Sequence, residues 1–186
     1  KPHIPVSVQL GDYHDLKFED GSFDGAYTFE TLVHSSNPDR VLDEFFRVLR
    51  PGGHLVLIEY SHIPDTEMTP DEREVFAEIC NVAAMPAWQR FEDGILPSLV
   101  EQAGLVDITE EDCTERMLPM LSAFASLGRF SYAFGRMIGR RAKVINSLSG
   151  VEMFRNQRIW SYRIVSATKP GGQTWSPVAH VSSEPK

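Results

Sequence analysis

The sequence is short of cysteine, of long apolar runs and of basic charge, and each shortage closes a route. Cys80 and Cys113 are the only cysteines in 186 residues, too few for a disulfide scaffold and without the spacing of zinc ligands. No stretch nears the roughly eighteen apolar residues that a membrane-spanning helix requires. The opening Lys1-Pro2-His3-Ile4-Pro5 lacks the apolar centre of a signal peptide. These absences lead to the expectation of a reduced, cytoplasmic protein. Lys and Arg number 18 against 26 Asp and Glu, a formal net charge of -8. Such a chain is poorly equipped to neutralise phosphates, so nucleic acid is not expected as a partner. No cluster of His, Cys, Asp and Glu has ligand spacing, so no metal is expected either.

What is present is patterned. A hydrophobic share of 42% supports a single domain with a real core. Val6, Val8 and Leu10 alternate with polar residues, so residues 5–10 read as a first strand. Residues 23–29, Phe-Asp-Gly-Ala-Tyr-Thr-Phe, read as a second. Asn37 suits an N-cap, with Pro38 at the first helical position. Val41, Leu42, Phe45, Val48 and Leu49 then form an apolar stripe, and Pro51-Gly52-Gly53 ends the helix. The apolar run at residues 54–60 reads as a strand covered on both faces. Strand, helix, strand in this order predicts an α/β fold with a parallel sheet. A capping box from Thr69 to Glu72 opens another helix, to about residue 84. Helix at residues 95–103 stops at Gly104. Residues 105–109 and 158–168 are strand candidates, with Trp160, Tyr162, Ile164 and Ser166 on one side of the latter. Between them, residues 114–150 read as a helical insertion. The proline- and glycine-containing tail from 170 to 186 reads as disordered.

Four ordered pieces of this pattern resemble one family. They are Gly11-Asp12 with Leu16-Lys17-Phe18; Ser22-Phe23-Asp24; the stretch Glu44-Phe45-Phe46-Arg47-Val48-Leu49-Arg50-Pro51-Gly52-Gly53; and Gln102-Ala103-Gly104-Leu105. In this order and spacing they resemble the later part of an S-adenosylmethionine-dependent class I methyltransferase, covering most of residues 6–168. Tyr27-Thr28-Phe29-Glu30-Thr31-Leu32-Val33-His34 and Ile58-Glu59-Tyr60 are similar to the sterol C-methyltransferase branch of methyltransferase type 11. Ile79-Cys80-Asn81-Val82 departs from that branch, where a glycine-bearing segment is usual. The resemblance implies a Rossmann-like sheet represented by its later strands, and S-adenosyl-L-methionine as cofactor. The family's glycine-rich loop after a first strand is not found in these residues; Gly171-Gly172 has no strand before it and no helix after it.

The resemblance also implies roles. Asp12 would accept a hydrogen bond from the adenine amino group, with Tyr13 beside the ring; an Asx turn is the alternative. Phe29 and Glu30 would border the cofactor. Methylating an alkene carbon creates a carbocation, which needs carboxylates or aromatic faces nearby and a base to remove a proton. Glu30, His34, Glu59 and Tyr60 supply those chemical types near two strand ends. If the chain turns helical after Glu30, the i, i+4 spacing sets Glu30 and His34 on one face. Local hydrogen bonding is the alternative for each. Trp88, Trp160 and Tyr162 read as core.

The insertion has several readings. From Arg129 to Lys143 five residues are basic (Arg129, Arg136, Arg140, Arg141, Lys143) and none is acidic. Two packed helices with a solvated basic face are the simplest account. A lid over a lipophilic small-molecule substrate is the next. Packing onto a second protomer as a homo-oligomer, and peripheral contact of residues 117–145 with an anionic membrane, are further alternatives. A catalytically silent relative that binds a partner or lipid remains the rival from outside enzymology, and O- or N-methylation the rival within it.

Overall fold

The computed structural model describes residues 5–137 and 151–171. A four-stranded sheet organises them: β1 (Phe23–Phe29), β2 (Leu49–His62), β3 (Val106–Asp112) and β4 (Trp160–Thr168), in the spatial order β1-β2-β4-β3. β1 and β2 are parallel, whereas β4 runs antiparallel to both β2 and β3. The expectation of a parallel sheet is therefore corrected at one strand. β4 enters between β2 and β3 from the end where both of them finish, since Trp160 pairs with His62 and Arg163 with Asp112. A strand that enters there can only run backwards.

The helix α1 (Pro38–Val48) forms as the sequence predicts. The Asn37 side chain accepts the Arg40 N–H, Pro38 sits in the first turn, and Val41, Leu42, Phe45 and Val48 are buried. Lys169 closes its other end, donating to the carbonyls of Phe46 and Leu49 at 2.7 Å each. Glu44 and Arg47 turn outward from α1 to clamp the preceding loop: Glu44 accepts the Leu16 N–H, and Arg47 donates to the carbonyls of Leu16 and Phe18. The chain then passes straight from Val48 into β2. Pro51-Gly52-Gly53 is not a loop between elements but an irregularity inside the strand, where pairing jumps from Phe23–Leu49 to Gly25–His54. A Cβ on Gly53 would stand 2.9 Å from the Arg50 carbonyl oxygen and 3.2 Å from that of Asp24, so only glycine fits.

The helix α2 (Pro70–Val82) carries the capping box in full and ends two residues earlier than expected. α3 (Ile95–Gln102) buries Leu96, Leu99 and Val100. β3 extends three residues beyond the anticipated strand. α4 (Thr114–Met137) contains Pro119, and residues 151–155 are helical again. The rest of the insertion and the tail from 172 lie outside the described residues, as do the side chains from 128 onward in α4. Those include all five of the basic residues singled out above.

One expected strand does not form. Residues 5–10 have no regular structure, and Val6, Val8 and Leu10 are 82%, 95% and 104% exposed. Alternation alone does not make a strand; its amides and carbonyls need a neighbouring ladder. Among the described residues β1 pairs only with β2, and nothing pairs with residues 5–10.

Candidate active site

β1 and β2 finish side by side, and the segments after them make a cluster at the strand ends, the position at which open α/β sheets bind ligands. Glu30 takes the first step beyond β1. Its backbone is left-handed, φ 52°, an uncommon and strained choice for a residue with a long side chain. Its N–H donates to the Ile58 carbonyl at 2.8 Å, which locks that turn onto β2. The half-buried carboxylate then accepts a 2.8 Å hydrogen bond from the hydroxyl of Tyr162, 132 residues away on β4. Tyr60 faces the same carboxylate. Its phenol is driven well above the ordinary tyrosine range, first by burial and then by the charge of Glu30. Tyr162 is driven the same way for the same reasons. Both phenols thus stay protonated and act as donors. Tyr60 lies 5.1 Å from Tyr162, 5.4 Å from Trp88 and 6.2 Å from Trp160, ring centre to ring centre. Glu30 is a carboxylate among aromatic rings, and among the described residues no cationic side chain pairs with it.

Glu59 lies underneath and does something different. It is 0% exposed. One oxygen accepts the N–H groups of Thr31 and Leu32 at 3.1 and 2.9 Å, and the other accepts that of Val33 at 3.4 Å. Those are the orphan amides opening the 3-10 turn Leu32–His34. Burial pushes the Glu59 carboxyl above the usual glutamate value, against the opposing pull of these amides. Glu59 therefore holds the turn that follows Glu30, and both of its oxygens are occupied.

Glu30 and His34 do not share a helical face. The left-handed Glu30 precedes the turn instead of belonging to it. His34 is exposed, and its Nδ1 stands 2.8 Å from the Ala84 carbonyl oxygen. A carbonyl only accepts, so Nδ1 carries a proton, and in the neutral ring Nε2 keeps the lone pair. Phe29 is 56% exposed on the sheet face that carries Tyr27. The loop holding Asp12 and Tyr13 is lashed to the same region: the Tyr13 hydroxyl donates to the Thr31 carbonyl at 3.2 Å. Asp12 makes an Asx turn, Oδ1 accepting the His14 N–H at 2.9 Å. That hydrogen bond, and a second from the His14 ring, hold its carboxyl below the usual aspartate range.

Comparison with known proteins supplies the chain's relatives. Residues 1–57 match a family described as a methyltransferase domain. The chain is 30% identical over 173 residues to an S-adenosyl-L-methionine-dependent Diels-Alderase of Talaromyces variabilis, covering 91% of this chain and 59% of that one. The chain is thus similar to S-adenosylmethionine-dependent methyltransferases. An O-methyltransferase of Penicillium expansum is 32% identical over 150 residues, which is 79% of this chain and 50% of the relative. The crystal structure of the [4+2]-cyclase SpnF superposes with a TM-score of 0.64 at 23% identity, over 88% of this chain and 56% of that one. The chain thus spans between half and three fifths of the length of these proteins. Within the family frame, the residues present fit the cofactor in two respects. Asp12 offers Oδ2 as an exposed, unused acceptor, and Glu30 offers negative charge that no described side chain neutralises.

Tyr162, His14 and Ser35 were not singled out as site residues by sequence reasoning. The alternation over β4 already placed Tyr162 on one side with Trp160, and that was the available signal. Nothing local marks a tyrosine whose partner lies 132 residues upstream.

Proposed function

We propose that the protein transfers the methyl group of S-adenosylmethionine to a nucleophilic carbon of a lipophilic secondary metabolite of sterol or terpenoid type. One observation carries this reading: a half-buried carboxylate, Glu30, fixed among aromatic rings by a phenol donor and lacking a described cationic partner. When bound, S-adenosylmethionine supplies an electrophilic methyl group on a positively charged sulfur. Asp12 would accept from the adenine amino group, with Tyr13 alongside. Glu30 is suited to oppose positive charge, because a fixed carboxylate in a partly dry site acts more strongly than one in water. An acceptor alkene that gains a methyl group is left as a cation, and the faces of Tyr60 and its neighbours suit that charge. The cation then loses a proton. We assign that proton to His34 Nε2, which has a lone pair in the neutral ring. Glu59 acts through position, keeping the turn between Glu30 and His34 in place.

A second reading has a specific support. Two similar proteins are a Diels-Alderase and a [4+2]-cyclase. In that chemistry the Tyr162 and Tyr60 hydroxyls, turned from Glu30 to the substrate, would polarise it by hydrogen bonding, and no methyl group would be consumed. Methyl-labelled S-adenosylmethionine with a panel of sterol and terpenoid acceptors separates the two. Methyl transfer predicts label in the acceptor, and a loss of turnover of about a hundredfold or more in Glu30→Gln with S-adenosylhomocysteine binding kept. Cyclised product without transferred label would replace the first reading by the second. An undiminished Glu30→Gln variant would remove Glu30 from the chemistry.

A further inference from the structure

The loop that carries Asp12 contains a hydrogen-bond relay that the methyl-transfer chemistry does not use. Its members are Asn37, Ser35, His14 and Asp12. The Asn37 N–H donates to Ser35 Oγ at 3.0 Å. Ser35 Oγ stands 2.8 Å from His14 Nε2, and His14 Nδ1 stands 2.7 Å from Asp12 Oδ1. Ser35 is 1% exposed, so this hydroxyl is anchored in the protein and is not an accessible nucleophile. The His14 ring is partly covered, with 23% of its side chain exposed against 67% for Asp12. Arg40 also fixes the loop, its Nε donating to the His14 carbonyl at 3.0 Å.

The directions of these bonds follow from the chemical types. Ionised Asp12 can only accept, so His14 Nδ1 carries its proton toward it. The bond between Nε2 and Ser35 Oγ runs from the hydroxyl when the ring is neutral and from the ring N–H when it is charged; in either form Nδ1 donates to Asp12. Ser35 Oγ in turn takes the Asn37 N–H on its remaining lone pair. The relay holds one Asp12 oxygen and keeps the carboxylate ionised, leaving Oδ2 exposed with acceptor character alone.

We infer that His14 is a positioning residue which, through the Asp12–His14–Ser35 relay, makes Asp12 a selective acceptor for a base bearing an exocyclic amino group. The inference rests on the cofactor reading above and adds its specificity. A 6-aminopurine presents a donor to Oδ2. A 6-oxopurine presents a lone pair there, and two acceptors repel. A carboxylate free to rotate or to take up a proton would discriminate less, because a protonated oxygen can donate to the 6-oxo group.

Two measurements test it. The first needs no ligand: nitrogen NMR of the His14 imidazole in the chain alone. The relay requires a proton on Nδ1; an unprotonated Nδ1 would overturn the inference and leave the cofactor reading untouched. The second is calorimetric titration with S-adenosylhomocysteine and with its 6-oxo analogue, S-inosylhomocysteine. The wild-type chain should prefer the amino form by about tenfold or more, the range for one hydrogen bond to a charged group. His14→Leu should cut that preference to about threefold or less, and His14→Asn, whose amide can replace the Nδ1 donor, should restore most of it. Full discrimination in His14→Leu overturns the relay while the cofactor reading stands. No binding of either compound by the wild-type chain overturns both.

Discussion

Removing the Glu59 carboxylate tests whether a buried acid at the strand ends is there for chemistry or for the turn. Glu59→Ala deprives three backbone amides, those of Thr31, Leu32 and Val33, of their acceptors. A buried unsatisfied donor costs about 1–3 kcal/mol. The space left by the side chain admits water to some of them, so the sum is capped near the cost of breaking a buried charged network, about 3–5 kcal/mol. Glu59→Gln keeps one oxygen for Thr31 and Leu32 but sets an amide NH2 against the Val33 N–H, donor against donor. One lost bond predicts about 1–2 kcal/mol. In urea unfolding with a slope of about 2 kcal/mol/M, the alanine variant should lose roughly 1.5–2.5 M in midpoint and the glutamine variant under about 1 M. The pH dependence has a fixed sign. The folded carboxyl titrates above the ordinary glutamate value, near 4.5, so between the two values the folded state binds more protons than the unfolded one. Stability should therefore decline as pH rises from near 4.5 through the folded value, and Glu59→Gln should flatten that decline. An alanine variant within about 0.5 kcal/mol of wild type would refute the assignment, because three amides cannot be orphaned so cheaply.

Tyr162→Phe removes the hydroxyl that donates to Glu30 without changing shape; turnover should fall about tenfold with stability lowered by about 1 kcal/mol, seen by steady-state kinetics beside thermal melts. Thr69→Ala dismantles the capping box of α2 and should cost about 1 kcal/mol in denaturant titration, with cofactor binding unaffected. Gly53→Ala forces a methyl group onto the Arg50 and Asp24 carbonyls; a stability loss of about 1–3 kcal/mol is expected, and an unchanged midpoint would mean that β2 can relax there.

Much of the fold was legible because its signals are local. Asn37-Pro38, Thr69 with Glu72, and Gly104 each state a helix boundary in adjacent residues, and the structure sets boundaries there. Residues 5–10 carried an equally good local alternation and form nothing, because a strand is defined by its partner and the sequence does not name one. The direction of β4 was hidden for the same reason: it depends on where a long insertion returns. At the site, residue types were visible and orientations were not. Glu59 and Glu30 both read as acids at strand ends. Only the positive φ of Glu30 and the three amides around Glu59 separate an available carboxylate from an occupied one.

The direction of β4 also decides what the insertion can reach. β3 ends and β4 begins at the same edge of the sheet, so residues 113–159 leave and return where Glu30, Tyr60 and His34 stand. Their root is bonded directly to β4, whose Tyr162 donates to the Glu30 carboxylate. The Cys113 N–H donates to the Tyr162 carbonyl at 2.8 Å, and Thr114 Oγ1 accepts the Tyr162 N–H at 2.9 Å. Tyr162 thus joins the first turn of α4 to the Glu30 carboxylate through one residue. Thr114→Val keeps the shape and removes the acceptor. Were the insertion a mere appendage, the variant would lose about 1 kcal/mol of stability and nothing else. If α4 and the site are coupled through Tyr162, it should also raise the KM for the acceptor or lower kcat several-fold, while the affinity for S-adenosylhomocysteine stays within about twofold of wild type. Kinetics unchanged beside a lowered melting temperature would break that link and leave α4 as packing.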